Sequence, residues 1–166
     1  MKTKATLLLL PILSVFGFTI LSAQEEPTTI AIFPFKNLYG EVQYDDLGWS
    51  YADSLEVFLN AQPGNGANYA IVPNVDVKDQ MLAMNVDVKA PSYETDVWTI
   101  AEALGASKIV WGTYFTKYGK VYLKVEIIDL SVNMADTENV GESKGLLYEE
   151  AINSVPTVGE KIVPGL

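Results

Sequence analysis

Thr29-Ile-Ala-Ile-Phe-Pro-Phe35 is the stretch on which the fold turns. An unbroken apolar run that stops at a proline and an aromatic describes a buried strand with a sharp exit, since a strand covered on both faces loses polar alternation. Behind it, Lys36 to Tyr44 holds Asn37 and Gly40 and is expected to be a loop. Asp45 and Asp46 suit the first turn of a helix, where carboxylates face the positive end of the backbone dipole. Leu47, Tyr51, Leu55, Phe58 and Leu59 then fall on one helical face. Pro63-Gly-Asn-Gly-Ala67 ends that helix, and Tyr69-Ala-Ile-Val-Pro73 is a second short apolar strand, so the chain opens as strand, helix, strand.

Asn74 or Asp76 is expected to cap a second helix with Val77, Met81 and Met84 inward. Ala90-Pro-Ser92 separates it from a third helix carrying Val97, Ile100, Ala101 and Leu104, closed by Gly105. Asn74-Val-Asp-Val-Lys78 and Asn85-Val-Asp-Val-Lys89 repeat one another, but architectural repeats have longer periods and recur more than twice, so the pair reads as chance. From Ser107 the period changes to two. Lys108–Thr116 and Lys120–Leu130 form a hairpin about Lys117-Tyr-Gly119, with Val121, Leu123, Val125 and Ile127 inward, and its exposed edge offers a place for a partner strand. A polar stretch containing Asn133, Asp136 and Asn139 turns into a short strand before Gly141. Leu147, Ala151, Val155, Val158 and Ile162 then keep a helical spacing that Pro156 should kink or split.

The first residues have the parts of an export signal: Lys2 and Lys4, an apolar stretch from Leu7 to Leu21, then Ser22 and Ala23 before polar Gln24. Cleavage after Ala23 leaves a short linker, 24–28, and one domain, 29–166. The apolar stretch is interrupted by Pro11 and Gly17 and falls short of the roughly 20 residues a spanning helix needs, so no stable membrane insertion is expected once the leader is cut. The cut chain keeps nine lysines against 21 acids, a formal −12, which repels nucleic acid and anionic lipid.

The sequence has no histidine, cysteine or arginine. That removes most side chains that do acid, base or nucleophilic work near neutral pH, and with them the usual ligands of zinc and copper. Asp45 or Asp46 paired with Asp129 would be the carboxylate pair of an enzyme, but helix charge compensation and a strand-end turn account for them. Ser50, Ser54 and Ser143 lack a base. Asp136, Glu138 and Glu142 around Gly141 miss the calcium-loop pattern, because Val140 and Leu147 occupy ligand positions. Gly64 and Gly66 follow a helix and precede a strand, the wrong order for a phosphate cradle. No catalytic residue, metal or cofactor is therefore expected. The aromatic loop after the first strand remains: Lys36, Asn37, Tyr39 and Tyr44, with Trp49 just beyond, lie where ligands of α/β sheets gather. They are the candidate partner-binding residues, and a small molecule held by the loop 36–49 is the alternative occupant.

Ile30-Ala-Ile-Phe-Pro-Phe-Lys-Asn-Leu38, Tyr44-Asp-Asp-Leu-Gly-Trp-Ser-Tyr-Ala-Asp-Ser-Leu55, and Leu104-Gly-Ala-Ser-Lys-Ile-Val-Trp-Gly112 leading through the hairpin to Ile128-Asp-Leu130 resemble the amino-terminal domain of TolB and the envelope α/β domains of FlgO, CsgG and LpoB. Together with the element order, the resemblance implies an α/β (α+β) fold: a mixed sheet of about four to five strands, with an antiparallel hairpin in the C-terminal half, packed by about three to four helices. It also implies a periplasmic or secreted address in a bacterial envelope and work through an envelope protein partner without catalysis. TolB continues into a propeller that this chain is too short to hold, and lipoprotein relatives carry a cysteine that is missing here. Self-association is left open.

Overall fold

The computed structural model describes residues 26–166; the proposed leader and its cleavage point lie outside them. The chain forms a mixed seven-stranded sheet with helices on both faces. Strand β1 (Thr28–Ile32) is followed by a two-residue strand β2 (Lys36–Asn37), helix α1 (Leu47–Asn60), strand β3 (Tyr69–Ile71) and helices α2 (Asn74–Ala83) and α3 (Tyr93–Ala103). The long hairpin β4 (Lys108–Lys117) and β5 (Lys120–Asp129) comes next, then short strands β6 (Met134–Ala135) and β7 (Gly141–Glu142), a 3-10 segment Tyr148–Ser154 and helix α4 (Val155–Ile162). Among the described residues no helix is long and apolar enough to cross a membrane.

The order β3-β1-β4-β5-β6 puts β1 in the parallel half, between β3 and β4, with β5 and its short partners antiparallel. Alternation along β1 builds two cores. Ile30 and Ile32 point to one face, under Leu47, Tyr51, Leu55 and Leu59 of α1 and Val155, Val158 and Ile162 of α4. Ala31 and Phe33 point to the other, under Val77 and Met81 of α2 and Val97, Ile100 and Ala101 of α3. The hairpin is closed by Tyr118 (φ 53°) and Gly119 (φ 70°), both left-handed, the two-residue turn whose twist matches the flanking strands. Gly105 (φ 68°) ends α3 as expected.

Several expectations are corrected. The hairpin is not a sheet edge: β4 is paired by β1 and β2, β5 by β6 and β7, and Val121 by Leu146. The segment 36–44 is not all loop, because Lys36 and Asn37 rejoin the sheet against Thr113 and Tyr114 and a 3-10 turn spans Val42–Tyr44. Between Ile32, paired with Val110, and Lys36, paired with Thr113, the chain spends one residue more than β4 does. That extra residue is a bulge, and it produces the sharp exit that Pro34 announces. Asn74 and Asp76 do not cap α2. Pro73 occupies the cap position, and the Asn74 side chain instead donates to Asp53 at 3.0 Å. Met84 and Leu147 are exposed, because α2 ends at Ala83 and the helical repeat after Leu147 starts as a tighter 3-10 turn that points it outward. Pro156 splits that segment, sitting in the first turn of α4 where its missing amide costs nothing. The two copies of the small repeat differ in structure, the first in α2 and the second in the connection to α3, which agrees with chance similarity.

Candidate functional site

Helices α1 and α4 cover one face of the sheet and α2 and α3 the other, so the connections out of β1 and β3 leave in opposite senses. In open α/β sheets such a reversal opens a crevice outside the carboxyl ends of the strands. Here the crevice is a cleft of about 330 Å³ whose floor is the bulge Pro34–Phe35 and whose walls include Lys36, Leu38, Tyr39, Trp49 and Val88. Its volume falls at the lower end of the range of roughly 300 to 1,000 Å³ typical of small-ligand pockets.

Each wall is fixed by local chemistry. The Phe35 amide donates to the Gly48 carbonyl (3.1 Å), tying the bulge to the start of α1. A side chain on Gly48 would stand 2.7 Å from the Phe35 carbonyl oxygen, so the glycine sets how closely helix and strand approach. Asn37 spends its amide on the loop: Nδ2 donates to the Glu41 carbonyl (3.0 Å) and to Asp45 (3.4 Å), while Oδ1 accepts from the Gly40 amide (3.2 Å). The Tyr93 hydroxyl, on a fully buried ring, donates to the Pro34 carbonyl at 2.6 Å and holds the bulge from the opposite layer. Trp49 has the Lys78 ammonium 4.7 Å from its ring centroid, and Asp53 fixes that lysine at 2.8 Å.

Two ion pairs span the mouth, Lys89 with Asp45 at 2.6 Å and Lys36 with Glu94 at 3.8 Å. The hydrogen bond from Lys89 holds the Asp45 carboxyl below its usual range, so the one acid lining the cleft is an ionised, paired group with no proton to give and little basicity. Asp46, just before α1, accepts from the Tyr148 hydroxyl at 2.7 Å. Asp129 is held low chiefly by the Ser131 hydroxyl and lies opposite Lys108, about six residues or roughly 20 Å along β4 from the cleft. The carboxylate pair considered from sequence is not assembled. Asp136 turns on its own neighbours, accepting from Asn139 and from the Glu138 amide, and among the described residues no three acids gather as a metal site. The Gly66 amide is bound to the Tyr69 carbonyl at 2.7 Å.

Of the candidate residues, Lys36, Asn37, Tyr39 and Trp49 line the cleft together. Tyr44 stands outside it, packed on Tyr148 at 5.3 Å while its carbonyl accepts from the Tyr114 hydroxyl at 2.8 Å. Sequence reasoning missed Val88 and Lys89, which come from the second copy of the small repeat; the only signal was their likeness to the first copy, whose Lys78 also reaches Trp49.

No family model and no curated protein matches the sequence. Solved structures do match in fold. Lipoprotein GNA1162 from Neisseria meningitidis superposes with a TM-score of 0.50 at 18% identity, over 70% of this chain and 78% of that one. Escherichia coli LpoB superposes at 0.50 with 8% identity, over 72% of this chain and 56% of that one. The fold is theirs. The LpoB C-terminal domain from Salmonella enterica is also similar, at a TM-score of 0.49 and 11% identity over 74% of this chain and 84% of its own. The LpoB-type α/β architecture expected from the sequence resemblance is the one observed, with seven strands and four α-helices among the described residues.

Proposed function

We propose that this chain is a non-catalytic protein-interaction domain of a bacterial envelope, exported with loss of residues 1–23, whose partner docks at the cleft beyond β1. The observation that carries the reading is the cleft itself. It presents a half-buried indole, an exposed Leu38 and Tyr39, and paired charges, without a nucleophile and base in reach of one another. The LpoB-type fold supports the envelope address, and the export-like leader supports it independently.

Trp49→Ala is expected to weaken partner capture from envelope extract by about 30-fold or more, the loss usual when a central aromatic is truncated. Tyr44→Ala, outside the cleft, should weaken it far less. Crosslinking from a photoreactive group at position 39 identifies the partner directly; extracts that yield the same proteins with wild type and with Trp49→Ala would overturn the reading. The second reading is a small molecule in the same cleft, favoured by its volume and apolar walls. A metabolite that raises the melting midpoint of wild type but not of Trp49→Ala would establish it.

A further inference from the structure

The tip of the hairpin is the part of the sheet that no helix covers on the α2/α3 side. On that side the facing pairs are Trp111 with Glu126, Thr113 with Lys124, Phe115 with Tyr122, and Lys117 with Lys120. Trp111 is the last ring packed against the α2/α3 core; Phe115 and Tyr122 belong to neither core. Both are half-buried: they stack on each other, with centroids 5.2 Å apart and planes 8° from parallel, Tyr122 lies against the backbone at Gly145, and Tyr39, 65% exposed, extends the row at 5.6 Å from Phe115.

The cations at this tip are Lys117 and Lys120, on a chain that carries −10; Lys124 farther down is paired with Glu126 at 2.8 Å, and Glu41 is bonded to Thr116 beside the row. Lys117 and Lys120 are exposed and directly opposed across the strands, a like-charge pair that works against the hairpin on its own. Within the hairpin Lys117 stands 5.4 Å from the Tyr118 ring centroid, and a partner of opposite charge would offset what remains of the repulsion.

The chain has a surface of opposite character. The outer face of α2 presents Val75 (60% exposed) and Leu82 (80% exposed) one helical stripe apart, with exposed Asp76 and Asp79 between them. Aromatic rings with lysines on one surface, and aliphatic side chains with aspartates on another, match in both polarity and charge.

We propose that the uncovered face of the hairpin tip and the outer face of α2 are the two halves of one contact between copies of this chain. Each copy carries one of each half, so the contact either closes reciprocally about a two-fold axis or, joined head to tail, propagates to a ring or a filament. The contact is short-range, so salt near physiological strength screens the repulsion between the acidic bodies over about 8 Å while leaving the touching charges effective.

The test is sedimentation velocity of the purified chain in about 0.1 M salt at concentrations up to about 200 μM, with charge reversals on each half. Wild type is expected to show dimers or larger species whose fraction grows with concentration. Lys117→Glu with Lys120→Glu, and separately Asp76→Lys with Asp79→Lys, should each weaken association at least tenfold, and mixing the two variants should restore it. Should a reversal alter the circular dichroism spectrum, Lys117→Gln with Lys120→Gln replaces it. A wild type that stays monomeric, reversals that leave association unchanged, or variants that fail to complement when mixed would each overturn the proposal.

Discussion

Gly112→Ala is expected to lower stability by about 3 kcal/mol or more and the melting midpoint by roughly 10 °C. Gly112 lies in the middle of β4, opposite Val125, in the strand the whole sheet is built around. A methyl group there would meet the Lys124 carbonyl oxygen at 2.6 Å and the Phe35 ring at 2.8 Å. The ring can shift only by disturbing its stack on Tyr51, 5.8 Å away, and the floor of the cleft. The carbonyl is backbone of the neighbouring strand and cannot move without opening the hairpin. Thermal melts of Gly112→Ala alone and combined with Phe35→Leu separate the two collisions, because the smaller side chain relieves only one of them. Partial recovery in the double variant is expected; an unchanged midpoint in the single variant would refute the close approach.

That glycine also shows what the sequence could and could not convey. The period-two run through β4 and β5 and the period-3.6 faces of α1 and α3 are written in side-chain polarity, and both appear where expected. Short elements leave no such trace. Two residues at Lys36–Asn37 and two at Gly141–Glu142 are too few for a period, which is why an expected sheet of about four to five strands has seven. The hairpin, expected to be an edge, became interior because its neighbours on either side come from distant segments whose pairing alternation alone does not encode. The candidate site followed the same division. Tyr39 and Trp49 were legible as aromatics beyond the first strand, whereas Val88 and Lys89 reach the cleft from a connection some 40 to 50 residues away, across the opposite helical layer. Tyr44 looked equivalent to Tyr39 in sequence, yet the 3-10 turn at Val42–Tyr44 rotates it onto Tyr148.

Strong alkali is expected to unfold this protein cooperatively between about pH 11 and 12, driven chiefly by the buried phenols of Tyr51, Tyr93 and Tyr114, with Tyr69, also raised by burial, adding a smaller share. Burial first, partly offset by the Ser154 side chain, pushes the Tyr51 hydroxyl up to about 12. Burial also raises Tyr93, and raises Tyr114 together with the nearby charges of Asp45 and Asp46. A phenol whose folded-state value lies above the unfolded value near 10 stays protonated in the fold while the unfolded chain gives up its proton. Its contribution is complete below pH 10 and is lost as pH climbs toward the folded-state value, so stability falls with rising pH through that window. Each phenol removes about 1.4 kcal/mol per pH unit and the three together at most about 4, less to the extent that water reaches the Tyr114 hydroxyl at the cleft side. One and a half units above pH 10 that approaches the 5 to 15 kcal/mol of a typical domain. Tyrosinate absorbance from these rings should appear together with the loss of circular dichroism. Tyr93→Phe separates the phenol from the fold: it leaves the Pro34 carbonyl unpaired and costs about 1 to 3 kcal/mol at neutral pH, yet flattens the alkaline fall by about a third. A variant with the same alkaline slope as wild type would show that Tyr93 is ionising in the folded protein and that its burial is not what couples proton loss to unfolding.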